Sequence, residues 1–167
     1  GDAVGAEASY RTALATSERL VTRSPYDLGR QFDLSTSHGR LWKLQASRGD
    51  MAGAEASARS SIATLERLVD REPDNLHWQH ALFVALQNLS HVQIRRDSLD
   101  EAETSLRTAM SIVERLTRHD PENTSWQRDL STNHHMLAEL LLTRSNIDAA
   151  EASARVSLAI SERLARQ

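Results

Sequence analysis

The chain has 167 residues with 20 basic and 23 acidic side chains, a formal charge of −3, and no cysteine. This balance offers no reason to expect a nucleic-acid partner, and the lack of cysteine removes disulfides, thiolate metal sites and a cysteine nucleophile together. No run approaches the roughly 18 consecutive apolar residues of a membrane span and no leader-peptide pattern follows Gly1, so a cytoplasmic protein without a membrane partner is expected.

Read from the start, the sequence repeats every 48 residues: Glu18-Arg19-Leu20 returns as Glu66-Arg67-Leu68, Glu114-Arg115-Leu116 and Glu162-Arg163-Leu164. A period of this size is the mark of stacked units, none of which can bury its apolar face alone. Asp2 caps a first helix, which Pro25 stops; Asp27 opens the second and Asp50 the third. The pattern then recurs, with Pro73 and Asn75 before the fourth helix and Ser98 before the fifth. Pro121 and Asn123 precede the sixth, and Asn146 the seventh. Each capping side chain can accept a hydrogen bond from a first-turn amide, a contribution of about 1 kcal/mol. Ser98 with Glu101 has the spacing of a capping box. Seven helices of about 20 residues follow, each roughly 30 Å long.

Apolar and small residues three or four apart line one face of each helix. Met51, Ala54, Ala58, Ile62, Leu65 and Val69 do so in the third, and Trp126, Leu130, His134, Leu137 and Leu141 in the sixth. Ala6, Ala54, Ala102 and Ala150 recur where two helix backbones should approach closely. Glu7–Arg11, Glu55–Arg59, Glu103–Arg107 and Glu151–Arg155 are pairs at i, i+4, which support a solvated helix face more readily than a row of ligand-binding arginines. The expected organisation is one repeat domain over 1–167, with a partial unit 1–24 and units 25–72, 73–120 and 121–167. It begins halfway through a unit, and Val4, Tyr10, Leu14 and Val21 lack a preceding partner helix, so it reads as a piece of a longer protein.

Leu137, Ala138 and Leu141, followed by Ala150, Ala154, Ser157 and Leu158, resemble the tetratricopeptide repeat pattern. Leu89-Ser90 with Ala54 and Ala102, and Leu41-Trp42 with Ala6 and Tyr10, stand at matching positions. The unit is longer than the usual 34 residues or so, by about two turns per helix, and Trp42 occupies a site where that family prefers Gly or Ala. The resemblance implies an all-α, right-handed solenoid of antiparallel helix pairs whose first helices line a concave groove. Position by position the groove would present Thr36, Gly39 and Lys43, then Val84, Gln87 and His91, then Thr132, His135 and Glu139, with Ala46, Ile94 and Leu142 as an apolar rim. Of the carboxylate clamp found in some of these grooves only Asn88 matches, while Gly39, Lys43, Thr132 and Met136 stand at its other positions. An acidic chaperone-type tail is therefore not the expected ligand.

Seven histidines invite a metal test, since a zinc site needs three or four converging N, O or S ligands. His77 and His80 share a helical face, but only Glu72 and Asp74 stand near enough to complete a site and the next unit has Ser125 and Arg128 in place of the two histidines, so no metal and no cofactor is expected. His38 and His134 read as half-buried structural side chains, whereas His91 and His135 should face the groove and titrate near neutral pH. No phosphate loop and none of the H-E-x-x-H, G-x-S-x-G or S-x-x-K motifs is present. Asp129 with His134, or His135 with Glu139, lacks a nucleophile and an oxyanion loop. The chain is thus expected to be no enzyme but a protein-interaction module holding a peptide or helix in its groove, as a scaffold or regulatory segment. The alternative is a structural spacer or self-association element that stacks end to end without a separate ligand.

Overall fold

The computed structural model describes residues 3–166, and the side chains among them except those of Ala3, Val4 and Ala6. The expected cap at Asp2 and the packing roles expected of Val4 and Ala6 lie outside the described residues. Within this span seven helices follow one another with no strand: α1 (Ala3–Arg23), α2 (Leu28–Ser47), α3 (Met51–Arg71), α4 (Leu76–Arg95), α5 (Leu99–His119), α6 (Thr124–Thr143) and α7 (Ile147–Leu164). Each packs on the next across a turn of a few residues, which makes neighbours antiparallel. The closest partnerships are α2 with α3, α4 with α5 and α6 with α7, while α2 also touches α4. The chain is therefore a helical solenoid of stacked pairs.

The caps form as their residue types dictate. Asp27, Asp50, Asn75 and Asn123 accept from the amides of Arg30, Gly53, Trp78 and Trp126 at 2.9–3.2 Å, and Asn146 from Ala149 at 3.4 Å. Ser98 departs from expectation, because its hydroxyl makes no cap hydrogen bond. The capping box does not form because the Ser98 amide that Glu101 would satisfy donates to the Gln93 carbonyl at 2.9 Å, and the Glu101 carboxylate meets Arg59 at 2.8 Å and the Gln93 side-chain amide at 3.2 Å instead. At the opposite ends of α2, α4 and α6 the chain turns through a left-handed residue, Gly49 (φ 81°), Asp97 (φ 61°) and Ser145 (φ 58°). The next amide in each turn reaches back to a last-turn carbonyl, Asp50 to Gln45, Ser98 to Gln93 and Asn146 to Leu141, at 2.9–3.0 Å.

The core is a strip running from pair to pair. One part gathers Leu65, Leu68, Phe83, Leu86, Val113 and Leu116, the next Ala102, Leu106, Met136, Leu140 and Leu141. Ala54, Ala102 and Ala150 are buried where the helices come closest, so a larger side chain there would push α3, α5 or α7 off its partner. The recurring Glu-Arg-Leu triplets divide their labour. Leu68 and Leu116 are fully buried, while Arg115 donates to the Gln79 side-chain oxygen at 3.0 Å and Arg163 to that of Gln127. Gln79 and Gln127 in turn donate to the carbonyls of Pro73 and Pro121, so each long helix is tied to the turn that opens its pair.

The four Glu–Arg pairs at i, i+4 all form. Three of the glutamates take a second cation from the end of the following first helix. Arg48 meets Glu7, Arg96 meets Glu55, and Arg144 meets Glu103 at 3.1 Å. The arginines are partly exposed while Glu7, Glu55 and Glu103 are half-buried, and the pairs mark the stacking register.

Candidate functional site

Spacing of i, i+3 and i+7 along α2, α4 and α6 places Thr36, Gly39 and Lys43, Val84, Gln87 and His91, and Thr132, His135 and Glu139 on three neighbouring stripes. All nine are exposed or half-buried, as are Ala46, Ile94 and Leu142 on the rim. Two clefts result. The first, of about 320 Å³, lies between α2 and α4 over α3 and takes in Thr36, Gly39 and Val84 together with Phe32, Arg40, Trp42 and Asn88. The second, of about 170 Å³, lies between α4 and α6 and joins His91 and Glu139 to Ile94, Leu99 and Met136. Between them Gln87 donates to the Asn133 side-chain oxygen at 3.4 Å. His135 lies 3.5 Å from Glu139 on the solvent side. Lys43 and Thr132 belong to neither cleft.

The histidines sort into distinct environments. His91 is held below the ordinary value of 6.5 by burial, against a smaller upward pull from Glu139. His38 and His134 are also lowered by burial, opposed by Glu18 and Glu114 respectively, and the Nδ1 of each is buried without a hydrogen-bond partner. His77 and His80 point to different partners: His77 lies with its ring centre 4.9 Å from that of Phe32, and His80 bonds Asp129 at 2.7 Å. Among the described residues no cluster of three or more His, Asp or Glu is gathered to hold a metal ion, and no helix is long and apolar enough to cross a membrane.

Reading the sequence for stripes alone misses Phe32 and Arg40, which complete the first cleft. The signal for a gap there is Gly39, a glycine in mid-helix with open space on its Cβ side. Trp42, set where Ser90 and Ala138 stand in the other units, forms part of the wall. Its buried indole N–H has no acceptor.

The stacked pairs and the open layer of first helices define a tetratricopeptide-like helical repeat. No protein-family model matches the chain, and no curated protein matches it significantly. Among solved structures it is similar to BtubC (BKLC) from P. vanneervenii, with a TM-score of 0.71 and 20% identity over 98% of this chain and 59% of that one. The chain thus spans about three-fifths of the BtubC structure, and the likeness is one of fold. A looser similarity joins it to MamA, with a TM-score of 0.40 and 11% identity over 95% of this chain and 92% of that one.

Proposed function

We propose that the chain is a protein-interaction module that holds a peptide or a helix along the face made by α2, α4 and α6, serving as a scaffold or regulatory segment rather than as an enzyme. The observation that carries this reading is the pair of adjacent clefts, floored by apolar residues and edged by polar ones, across three parallel stripes. Such a surface suits an extended ligand, since apolar side chains can enter the clefts while exposed Lys43, His135 and Glu139 and half-buried Gln87 supply polar contacts around them. The test is selection of short peptides from a random displayed library on the immobilised chain. Replacing Lys43, Gln87, His91 and His135 together by alanine should abolish enrichment and leave helicity unchanged, with only a small fall in melting temperature from the lost Gln87–Asn133 hydrogen bond. Recovery of the same peptides by this variant would sink the reading.

One observation favours self-association as a second reading. Leu158 on α7 is 59% exposed, whereas Met110 and Ile62, one and two periods earlier, are 9% and 7% exposed because the next first helix covers them. The other end does not complement it, since the trough between α1 and α2 is lined by Ser9, Thr12, Thr16, Ser17 and Ser37. Head-to-tail stacking would set leucine against hydroxyls, so contact between two α7 faces is the form of self-association that these residues suit.

A further inference from the structure

The exposed face of α7 carries charge as well as leucine. Ile147, Glu151, Ala154, Leu158 and Ala165 are spaced by three, four or seven, which makes one stripe of a helix. Along one flank of this stripe run Glu151, Arg155, Glu162 and Arg166, the last just past the helix end. One period earlier the same positions of α5 hold Glu103, Arg107, Glu114 and Arg118. There α6 lies over the stripe, and Arg144 gives Glu103 a second cation at 3.1 Å. Arg96 does the same for Glu55. On α7, among the described residues, Glu151 has Arg155 alone, and its side chain is 56% exposed against 14% for Glu55 and 21% for Glu103. Glu162 and Arg166 pair with each other at 3.4 Å, both more than half exposed.

The order of these charges is self-complementary. From the start of α7 it reads Glu, Arg, Glu, Arg, so a second copy laid antiparallel reads Arg, Glu, Arg, Glu. A twofold axis lying in the contact and perpendicular to both helices brings each flank against the same flank of the partner. With that axis between Leu158 and Ala159, Glu151 lies opposite the partner's Arg166 and Arg155 opposite the partner's Glu162, and symmetry repeats both pairs. Sliding the partner by one turn either way sets Glu151 against the partner's Glu162, or Arg155 against the partner's Arg166. A parallel pair instead turns each charged flank toward the side that holds Ala154 and Ser161, where no opposite charge stands. Leu158 meets its own copy at the axis, and Ala154 and Ala165 are small enough for the helices to approach closely.

We propose that α7 is a docking surface for a second copy of this chain, joined antiparallel about Leu158 with Glu151 and Arg155 paired to the partner's Arg166 and the partner's Glu162. The inference rests on self-association through α7 and adds its direction, its register and the residues that set them. In the dimer the partner's Arg166 supplies the second cation to Glu151 that Arg96 and Arg144 supply to Glu55 and Glu103. Leucine burial provides the attraction, and the exposed charges select one way for two such faces to meet. One helix on one helix covers less than the roughly 1,200 Å² of a standard interface, so the dimer is weak and forms with rising concentration.

The test is sedimentation equilibrium of the whole chain over a concentration series. The wild type should pass from monomer to dimer, less readily as salt rises, and Leu158→Asp should stay monomeric. Arg155→Glu alone sets two pairs of glutamates face to face, and Glu162→Arg alone sets two pairs of arginines so. Each should weaken dimerisation at least fivefold with helicity unchanged. In an equimolar mixture of these two variants every facing pair is again of opposite charge, so the mixture should associate as strongly as the wild type, and so should a chain that carries both substitutions. A dimer lost in Leu158→Asp but indifferent to both charge reversals would leave contact through α7 standing and overturn the antiparallel register. Single variants that weaken association without recovery in the mixture overturn it equally. A dimer that survives Leu158→Asp lies elsewhere, and a monomer throughout, the result if this face serves a different helix, removes the contact itself.

Discussion

His38 and His134 stand two periods apart in one environment, half-buried, each near the glutamate of a Glu-Arg-Leu triplet and each with an unpartnered Nδ1. Burial outweighs the glutamate, so the folded chain keeps both below the ordinary 6.5. The unfolded chain then binds more protons between the folded values and 6.5. The stabilising contribution is complete above about pH 6.5 and is lost as pH falls through that value toward the folded ones. The middle unit places Leu86, a buried residue, at the same position. His38→Leu with His134→Leu should therefore raise stability at pH 7 by about 1–3 kcal/mol and flatten its decline on acidification, read from urea titrations at pH 7.5 and pH 5.5. An unchanged pH dependence would show that other groups govern it. The half-buried character of these histidines was what the family resemblance implied, since that position holds a packing residue and the middle unit has Leu86 there. That two of their nitrogens go unpaired was not, because it depends on what the preceding helix brings opposite them.

At the scale of the element, the turns that end α2, α4 and α6 share one left-handed position filled by three residue types, Gly49, Asp97 and Ser145. Only glycine takes that conformation without a Cβ penalty, which is about 1 kcal/mol for other residues. Asp97→Gly and Ser145→Gly should each stabilise the chain by about 1 kcal/mol, and Gly49→Ala should destabilise it by a similar amount, as measured by thermal melting. A loss of stability in the two glycine variants would mean that the aspartate or serine side chain compensates for its strain. The helix starts were readable because a cap lies within three residues of the amide it satisfies, a purely local relation. Ser98 is the instructive failure: its capping-box partner Glu101 goes to Arg59, 42 residues earlier in sequence, and to Gln93. Local spacing contained the motif, and the turn ending α4 took the Ser98 amide that the motif needs, leaving Glu101 to other partners.

Across the whole molecule each second helix of the stack is covered by the first helix of the next pair, and among the described residues none lies over Leu158 on α7. If two α7 faces associate through Leu158, the mass from light scattering should rise with concentration, and Leu158→Asp should abolish the rise with little change in melting temperature, since the side chain is already exposed. A monomer at all concentrations would remove self-association as a role for this face. Among the described residues the number of helices, five of their caps, their apolar faces and the order of the stack were contained in the 48-residue period, because each rests on contacts between residues near in sequence or on the rule that adjacent antiparallel helices pack together. Tertiary structure alone decided which side chains meet across the stack. Gln87 reaches Asn133 and Arg96 reaches Glu55 across 46 and 41 residues, at distances set by how far each helix slides along the next. Gly39, Ala81 and Ala85 make an open pocket only because that slide brings three small side chains to one gap, and helical periodicity along a single chain does not specify the offset between two helices.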